Sequence, residues 1–167
     1  MEFRKAEERD INRIMNIIKQ AQAYFKEKGI DQWQNNYPNP EVIREDIKRG
    51  YGYVLLKEGE IVGTVAVSFD GEKTYDTIYE GSWISNFDYG VIHRLAIDNK
   101  SKGQGLASEI IKEIEKMCLS RKIHSIRIDT HEDNKPMQRL IEKNGFKYCG
   151  IIYLNDKSKR LAFEKLI

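Results

Sequence analysis

The sequence predicts a single α/β domain over residues 1–167, a mixed sheet with helices on both faces. Three observations predict it. Apolar runs of strand length alternate with segments whose apolar residues recur at helical spacing. One strand-like run passes through a glycine-rich turn straight into a helix start. No repeat, low-complexity tract or Pro/Ser linker divides the chain, and its length suits one domain with a sizeable core.

The elements follow in order. Phe3–Ala6 is a short strand. From Asp10, the residues Ile11, Ile14, Met15, Ile18, Ala21 and Phe25 fall on one helical face that ends near Gly29. Gly29 to Pro38 is aromatic and amide-rich without a period. Asn39 caps a second helix with Pro40 in its first turn, and Gly50 ends it. Tyr51–Leu56 and Ile61–Phe69 form a hairpin around Glu58-Gly59. Residues 70–88 are a long connection, a kind of loop that is usually functional or mobile. Val91–Ile97 is the next strand. Leu106, Ala107, Ile110, Ile111, Ile114 and Cys118 form the apolar face of a third helix. Ile123–Asp129 is a buried-type strand. Asp133-Asn134 caps a fourth helix, Pro136 fits its first turn, and Gly145 stands at its C-terminal cap. Phe146–Leu154 and Arg160–Leu166 close the chain as a hairpin around Asn155-Asp156. The order is β-α-α-β-β-β-α-β-α-β-β.

Composition narrows the function classes. A net charge of +2 with interspersed Lys and Glu makes no electrostatic case for nucleic acid or an anionic membrane. Cys118 lies on an apolar helical stripe and Cys149 within a strand-like run, and both read as reduced core residues rather than a disulfide framework. No apolar run approaches the ~18 residues of a membrane span, and the N-terminus has no apolar signal region, so a cytoplasmic protein is the expectation. No set of side chains suggests a metal site.

The most informative segment is Lys102-Gly103-Gln104-Gly105-Leu106-Ala107, between the strand ending at Ile97 and the helix starting at Leu106. Glycines let the backbone approach a ligand closely. The first helical amides lack intrahelical acceptors, and the helix dipole favours an anion there. The element suits a pyrophosphate. The spacing does not fit the Rossmann fingerprint or the Walker pattern. It resembles the acyl-CoA loop of the GNAT superfamily of N-acetyltransferases, Gln/Arg-x-x-Gly-x-Gly/Ala, with Lys102 where Gln or Arg is usual. The resemblance extends to the fourth helix: Asn134 stands at its start and Gly145-Phe146 follow its end, at the family's usual separation. The run Asp129-Thr130-His131-Glu132-Asp133-Asn134 is also similar to that of small bacterial members.

The resemblance implies a mostly antiparallel sheet of about seven strands with a splayed strand pair. It implies acetyl-CoA, or coenzyme A, as the cofactor. The main chain of Leu95, Ala96 and Ile97 would pair with the pantetheine arm as a pseudo-strand. Lys102, Gly103, Gln104, Gly105, Leu106, Ala107 and Ser108 would hold the diphosphate. Asn134 would bond the pantetheine arm or fix the loop, a role compatible with helix capping. The implied reaction is direct attack of a primary amine, on a small molecule or a peptide, within a ternary complex.

His93 is the candidate general base, on the reasoning that it precedes Leu95 by two and shares its sheet face. The alternative is a satisfied histidine that shapes the pocket. His131 is a second candidate with a structural reading, and His124 reads as surface. Many family members carry a Tyr acid seven residues after the Asn; here Ile141 occupies that place. Tyr148 or Tyr153 could substitute, or the thiolate could leave unassisted. The acceptor site is expected from Trp33, Tyr37, Tyr79 and Trp83, with Asp76 and Glu80 attracting a cationic amine. An exposed terminal hairpin could pair across a two-fold axis as a homodimer. A non-catalytic acyl-CoA-binding sensor is the rival reading.

Overall fold

The computed structural model describes residues 1–167. Seven strands and four helices run in the order β1 (Glu2–Lys5), α1 (Ile11–Lys28), α2 (Pro40–Lys48), β2 (Gly52–Lys57), β3 (Glu60–Ser68), β4 (Gly90–Ile97), α3 (Leu106–Ser120), β5 (Ser125–Thr130), α4 (Lys135–Lys143), β6 (Lys147–Tyr153) and β7 (Lys159–Leu166). The strands hydrogen-bond in the order β1-β2-β3-β4-β5-β7-β6. The β1–β2, β2–β3, β5–β7 and β6–β7 pairs are antiparallel, and β4–β5 is parallel. This is the mixed, mostly antiparallel sheet expected, with element ends shifted by a residue or two, as frayed ends commonly are. No helix is long and apolar enough to cross a membrane. The chain divides into two compact units: Met1–Val67 with His93–Glu113, and Ser68–Ile92 with Ile114–Ile167.

In the first unit, local chemistry sets the helix ends. Gly29 closes α1 in the left-handed region at φ 68°. Asn39 caps α2, its Oδ1 accepting from the Val42 amide at 3.0 Å. The β2–β3 turn at Glu58-Gly59 has φ of 51° and 81°, the pair of positive values that a tight hairpin requires. Alternation then sorts the two faces of the strands. Val54, Leu56, Ile61 and Ala96 join Ile11, Ile14, Ile17, Ile18 and Ile43 in one buried cluster with α1 and α2. Leu55 is registered opposite Gly63. A Cβ on Gly63 would lie 3.0 Å from Ile110 Cδ1 of α3. Helices therefore cover both faces of this unit's strands.

The second unit is built on the β5–β7–β6 ladder and a small cluster of Tyr75, Val91, Ile152 and Ala162. The connection 70–88 is tightly held. Tyr79 and Ile151 exchange two main-chain hydrogen bonds of 2.8 Å, so the outer edge of β6 is occupied at that point. A Cβ on Gly81 would stand 1.9 Å from the Cys149 carbonyl oxygen, which excludes any side chain there. The carboxylate of Glu164, fully buried, accepts from the Ile84 amide at 2.8 Å and from the hydroxyls of Ser85 and Ser125 at 2.6 Å each. The Arg127 guanidinium sits 4.1 Å from the Trp83 and Tyr89 ring centroids and donates to the Ser85 carbonyl at 2.7 Å. Burial alone would push the Glu164 carboxyl up; the two serine hydroxyls and Arg127 outweigh it and hold it below its ordinary range. Cys118 and Cys149 are buried free thiols, and burial pushes Cys118 up to about 11, so neither is an activated nucleophile.

Candidate active site

The glycine-rich turn begins with a buried anchor. Asp98 donates its amide to the Val62 carbonyl at 2.8 Å, and its carboxylate accepts from Gln20 Nε2 at 2.8 Å and pairs with Arg13 at 3.4 Å. The hydrogen bond from Gln20, with help from Arg13, holds that carboxyl below its ordinary value against the opposing effect of burial. Gln20 also accepts from the Asn99 amide at 2.7 Å. One side chain of α1 thus fixes where the turn leaves β4. At the other end, Gln104 accepts from Lys57 Nζ at 2.7 Å.

Between these anchors the backbone is open. Gly103 and Gly105 adopt φ of 80° and 74°, and a Cβ at either would meet nothing within 4 Å. Positive φ excludes ordinary side chains without strain. The space beside both glycines is open, so they are not required by internal packing. The Gly105 carbonyl accepts the first helical bond, from Glu109, at 3.1 Å. The amides of Leu106 and Ala107 precede it, at the positive end of the helix dipole. The Lys102 ammonium lies over the Tyr24 ring at 5.6 Å. Amides, glycines and a nearby cation make this turn a fit for paired phosphates.

The strand that feeds the turn holds the site's unanticipated feature. Arg94 has φ 52°, left-handed inside β4. Its guanidinium grips Asp46 of α2 with bonds of 2.7 and 2.6 Å and donates to the Tyr37 hydroxyl at 3.0 Å. The strict alternation that placed His93 and Leu95 on one face is therefore interrupted between them. A sequence signal existed: His93 and Arg94 are adjacent polar residues inside an apolar run, which breaks a period of two. Asp46 and Asp98 carried no such signal, because their partners lie 48 and 78 residues away.

His93 is half-buried. Burial, aided by the neighbouring Arg94 charge, pushes its imidazole down to about 3. The ring is thus neutral at physiological pH, in the form that can accept a proton, but with weak proton affinity. Leu95 and Ala96 have buried side chains, which leaves main-chain atoms as their means of meeting a ligand.

The acceptor candidates fall in both units. In the first, Trp33 packs edge-on against Phe25 at 5.8 Å, and Tyr37 is exposed with its hydroxyl on Arg94. In the second, Asp76 and Glu80 are exposed. Tyr79 is exposed and meets Tyr153 edge-on at 5.3 Å. Trp83 donates its indole N–H to the Tyr75 carbonyl at 2.9 Å and stacks with Arg127, so its polar handle and one ring face are engaged within the unit. Asn134 is buried and accepts from the Met137 amide at 3.3 Å, the capping arrangement. Ile141 is fully buried. Tyr148, exposed, packs edge-on against Phe163 at 5.7 Å. His131 Nδ1 accepts from the Asp133 amide at 3.0 Å, a local structural bond, and His124 is exposed beside the Ile167 carbonyl.

Comparison with known proteins is consistent in one direction. The family model described as the acetyltransferase (GNAT) family matches residues 11–146. A solved GNAT-family acetyltransferase from Streptococcus agalactiae is 36% identical, with a TM-score of 0.89 over 99% of this chain and 95% of that one. Another from Listeria monocytogenes shares the fold at a TM-score of 0.76 and 19% identity, over 99% of this chain and 94% of that one. The uncharacterised N-acetyltransferase YesJ of Bacillus subtilis is 22% identical over 95% of this chain and 86% of its own length. With the glycine turn already in place between β4 and α3, these matches identify the chain as a member of the GNAT family of acetyltransferases.

Proposed function

We propose that this protein transfers an acetyl group from acetyl-CoA to a primary amine of a small molecule or peptide, by direct attack within a ternary complex. The observation that carries the reading is the open cradle at Gly103 and Gly105, anchored at both ends, where a Cβ would meet nothing within 4 Å. Acetyl-CoA, when bound, supplies an acyl thioester. Lys102 to Ser108 hold its diphosphate through main-chain amides and the Lys102 charge. The short parallel register of β4 with β5, at Gly90↔Ile126 and Val91↔Arg127, supports a role for the later part of β4, Leu95 to Ile97, in pairing with an extended amide-bearing arm. Main-chain amides there are suited to donate to oxygen as negative charge develops on it.

His93 is our candidate base only through its neutral imidazole accepting a hydrogen bond from a water that carries the amine proton to solvent; a value held down to about 3 makes it too weak to take and keep that proton itself. With Ile141, fully buried, in the usual tyrosine place, this chain supplies no acid from that position for a departing thiolate. Trp33 and Tyr37 are the acceptor contacts we assign in the first unit. In the second unit, the exposed carboxylates Asp76 and Glu80 are our candidates for attracting a cationic amine. Asn134 orders the start of α4 by its cap.

The test is thiol release. The protein is incubated with acetyl-CoA and, in turn, a diamine, an amino-acid amide and a short peptide. Release that depends on the amine, with the acetylated amine detected by mass, is expected. Tight acetyl-CoA binding with no amine-dependent release would make the protein a sensor instead.

A further inference from the structure

Left-handed backbone at residues other than glycine is uncommon, and it gathers at functional sites. Here Trp33, Asn35 and Asn36 have φ of 56°, 58° and 59° within one short segment, and Arg94 has 52° in mid-strand. A hydrogen bond joins the two places: the Tyr37 hydroxyl, at the end of that segment, accepts from Arg94 at 3.0 Å. The same guanidinium is fixed by both oxygens of Asp46. The pair is 16% and 10% exposed at the side chains, well shielded from solvent screening. Such a fork-to-fork pair sets direction as well as distance. Lysine in its place could offer only a point charge.

We propose that Arg94, braced by Asp46, is a positioning residue for acetyl transfer: it sets the course of the β4 main chain at His93 and Leu95 and ties the aromatic segment 30–38 to that strand. The inference rests on the acetyltransferase reading and deepens it. A strand residue forced into a left-handed conformation re-aims the groups on either side of it. Those groups are the imidazole of His93 and the amide of Leu95. The ion pair supplies the force that an unstrained residue would not need. Arg94 touches no reacting atom in this scheme. It acts through its own backbone and through Tyr37.

Glycine separates this role from ordinary packing. Glycine adopts positive φ freely, and alanine does not. If Arg94 acts by holding the main chain, Arg94→Gly should retain more turnover than Arg94→Ala, although it removes more side chain. If it acts only by filling space, the order reverses or vanishes. The experiment measures kcat and the amine KM, with an amine the parent acetylates, for the parent, Arg94→Ala, Arg94→Gly and Arg94→Lys, each checked for folding by circular dichroism and for CoA affinity by calorimetry. The expected result is kcat lowered about tenfold or more in Arg94→Ala and Arg94→Lys, with Arg94→Gly at least about threefold above Arg94→Ala and CoA affinity within about twofold of the parent. Parent-like kcat in Arg94→Ala, or no advantage of glycine over alanine, overturns the proposal. Should Arg94→Ala fail to fold, Tyr37→Phe keeps the question open to refutation: it removes one exposed hydroxyl, and a rise in the amine KM of about threefold is expected, where an unchanged KM contradicts the tie to the segment. An inactive parent would fault the acetyltransferase reading instead. In that case nitrogen-15 spectra decide: displaced His93 and Leu95 amides in Arg94→Ala, restored in Arg94→Gly, support the device, and unmoved amides refute it.

Discussion

Two irregular segments of this chain, the aromatic-rich connection 70–88 and the glycine-rich turn 98–105, differ in how they use their polar groups. The connection 70–88 spends them inward. Its Ile84 amide, Ser85 hydroxyl and Trp83 indole all bond within the unit, to Glu164 and the Tyr75 carbonyl, and Arg127 seals its rings. The turn 98–105 bonds its first half, through the Asp98 carboxylate and the amides of Asn99, Ser101 and Lys102, and holds Gln104 on Lys57, while a Cβ on Gly103 or Gly105 would meet nothing within 4 Å. Length and aromatic content made the first segment look like a ligand surface. The better guide is polar satisfaction. Donors consumed by buried protein acceptors hold a loop in place at those residues, and backbone left open at positive-φ glycines is the better candidate for meeting a ligand.

The contrast can be broken at either segment, and the largest effect is expected at the clamp. Glu164→Ala would leave two serine hydroxyls, an amide and the Arg127 charge without their acceptor, at a cost of about 3–5 kcal/mol. Urea unfolding measures the loss, and limited proteolysis should then cut within 70–88. A variant as stable as the parent would mean the loop is held otherwise. At the turn, Gly105→Trp should weaken CoA by about a hundredfold or more, from backbone strain of roughly 1–3 kcal/mol plus obstruction of the approach. Calorimetry decides it, and its unfolding midpoint should move far less than that of Glu164→Ala.

Acid sharpens the comparison through His93. Its folded-state value of about 3 lies below the ordinary 6.5. Between these pH values the unfolded chain binds a proton that the folded chain does not, so stability falls as pH drops through that window, by about 1.4 kcal/mol per pH unit from this residue. His93→Gln should flatten the decline measured by urea unfolding from pH 6.5 to 4.5. Superimposable slopes would show that the imidazole is not held neutral. The smallest expected effect is at the turn's anchor. Asp98→Asn should cost about 1 kcal/mol of stability and a few-fold in CoA affinity, because Gln20 and Arg13 lose a charged acceptor. An unaltered CoA affinity would mean the turn is ordered without Asp98.

Much of this architecture was legible in the sequence because its signals are local. Asn39 capping Val42, Glu58-Gly59 turning a hairpin, Gly29 and Gly145 at helix ends and the glycines before α3 are all decided within a few residues. The turn's position between strand and helix was legible for the same reason. Arg94 was not, although its doublet with His93 inside an apolar strand marked a break in the pattern. Its partners Asp46 and Tyr37 come from elements distant in sequence, and no periodicity reports a long-range ion pair. His93 was visible as a residue but not as a neutral one, because burial and the Arg94 charge exist only in the fold. The inward role of Trp83 was hidden likewise, since Arg127 reaches its ring, and Glu164 the Ile84 amide beside it, from strands formed later in the chain.

The most direct test of the central claim is a nitrogen-15 amide titration with coenzyme A. The account predicts that the largest shifts fall on Gly103 to Ser108, with a second set at Leu95 to Ile97, while the Ile84 and Ser85 amides held by Glu164 stay in place. Saturable binding that leaves the Gly103–Ser108 amides unmoved and displaces those of Ile84 and Ser85 would contradict it.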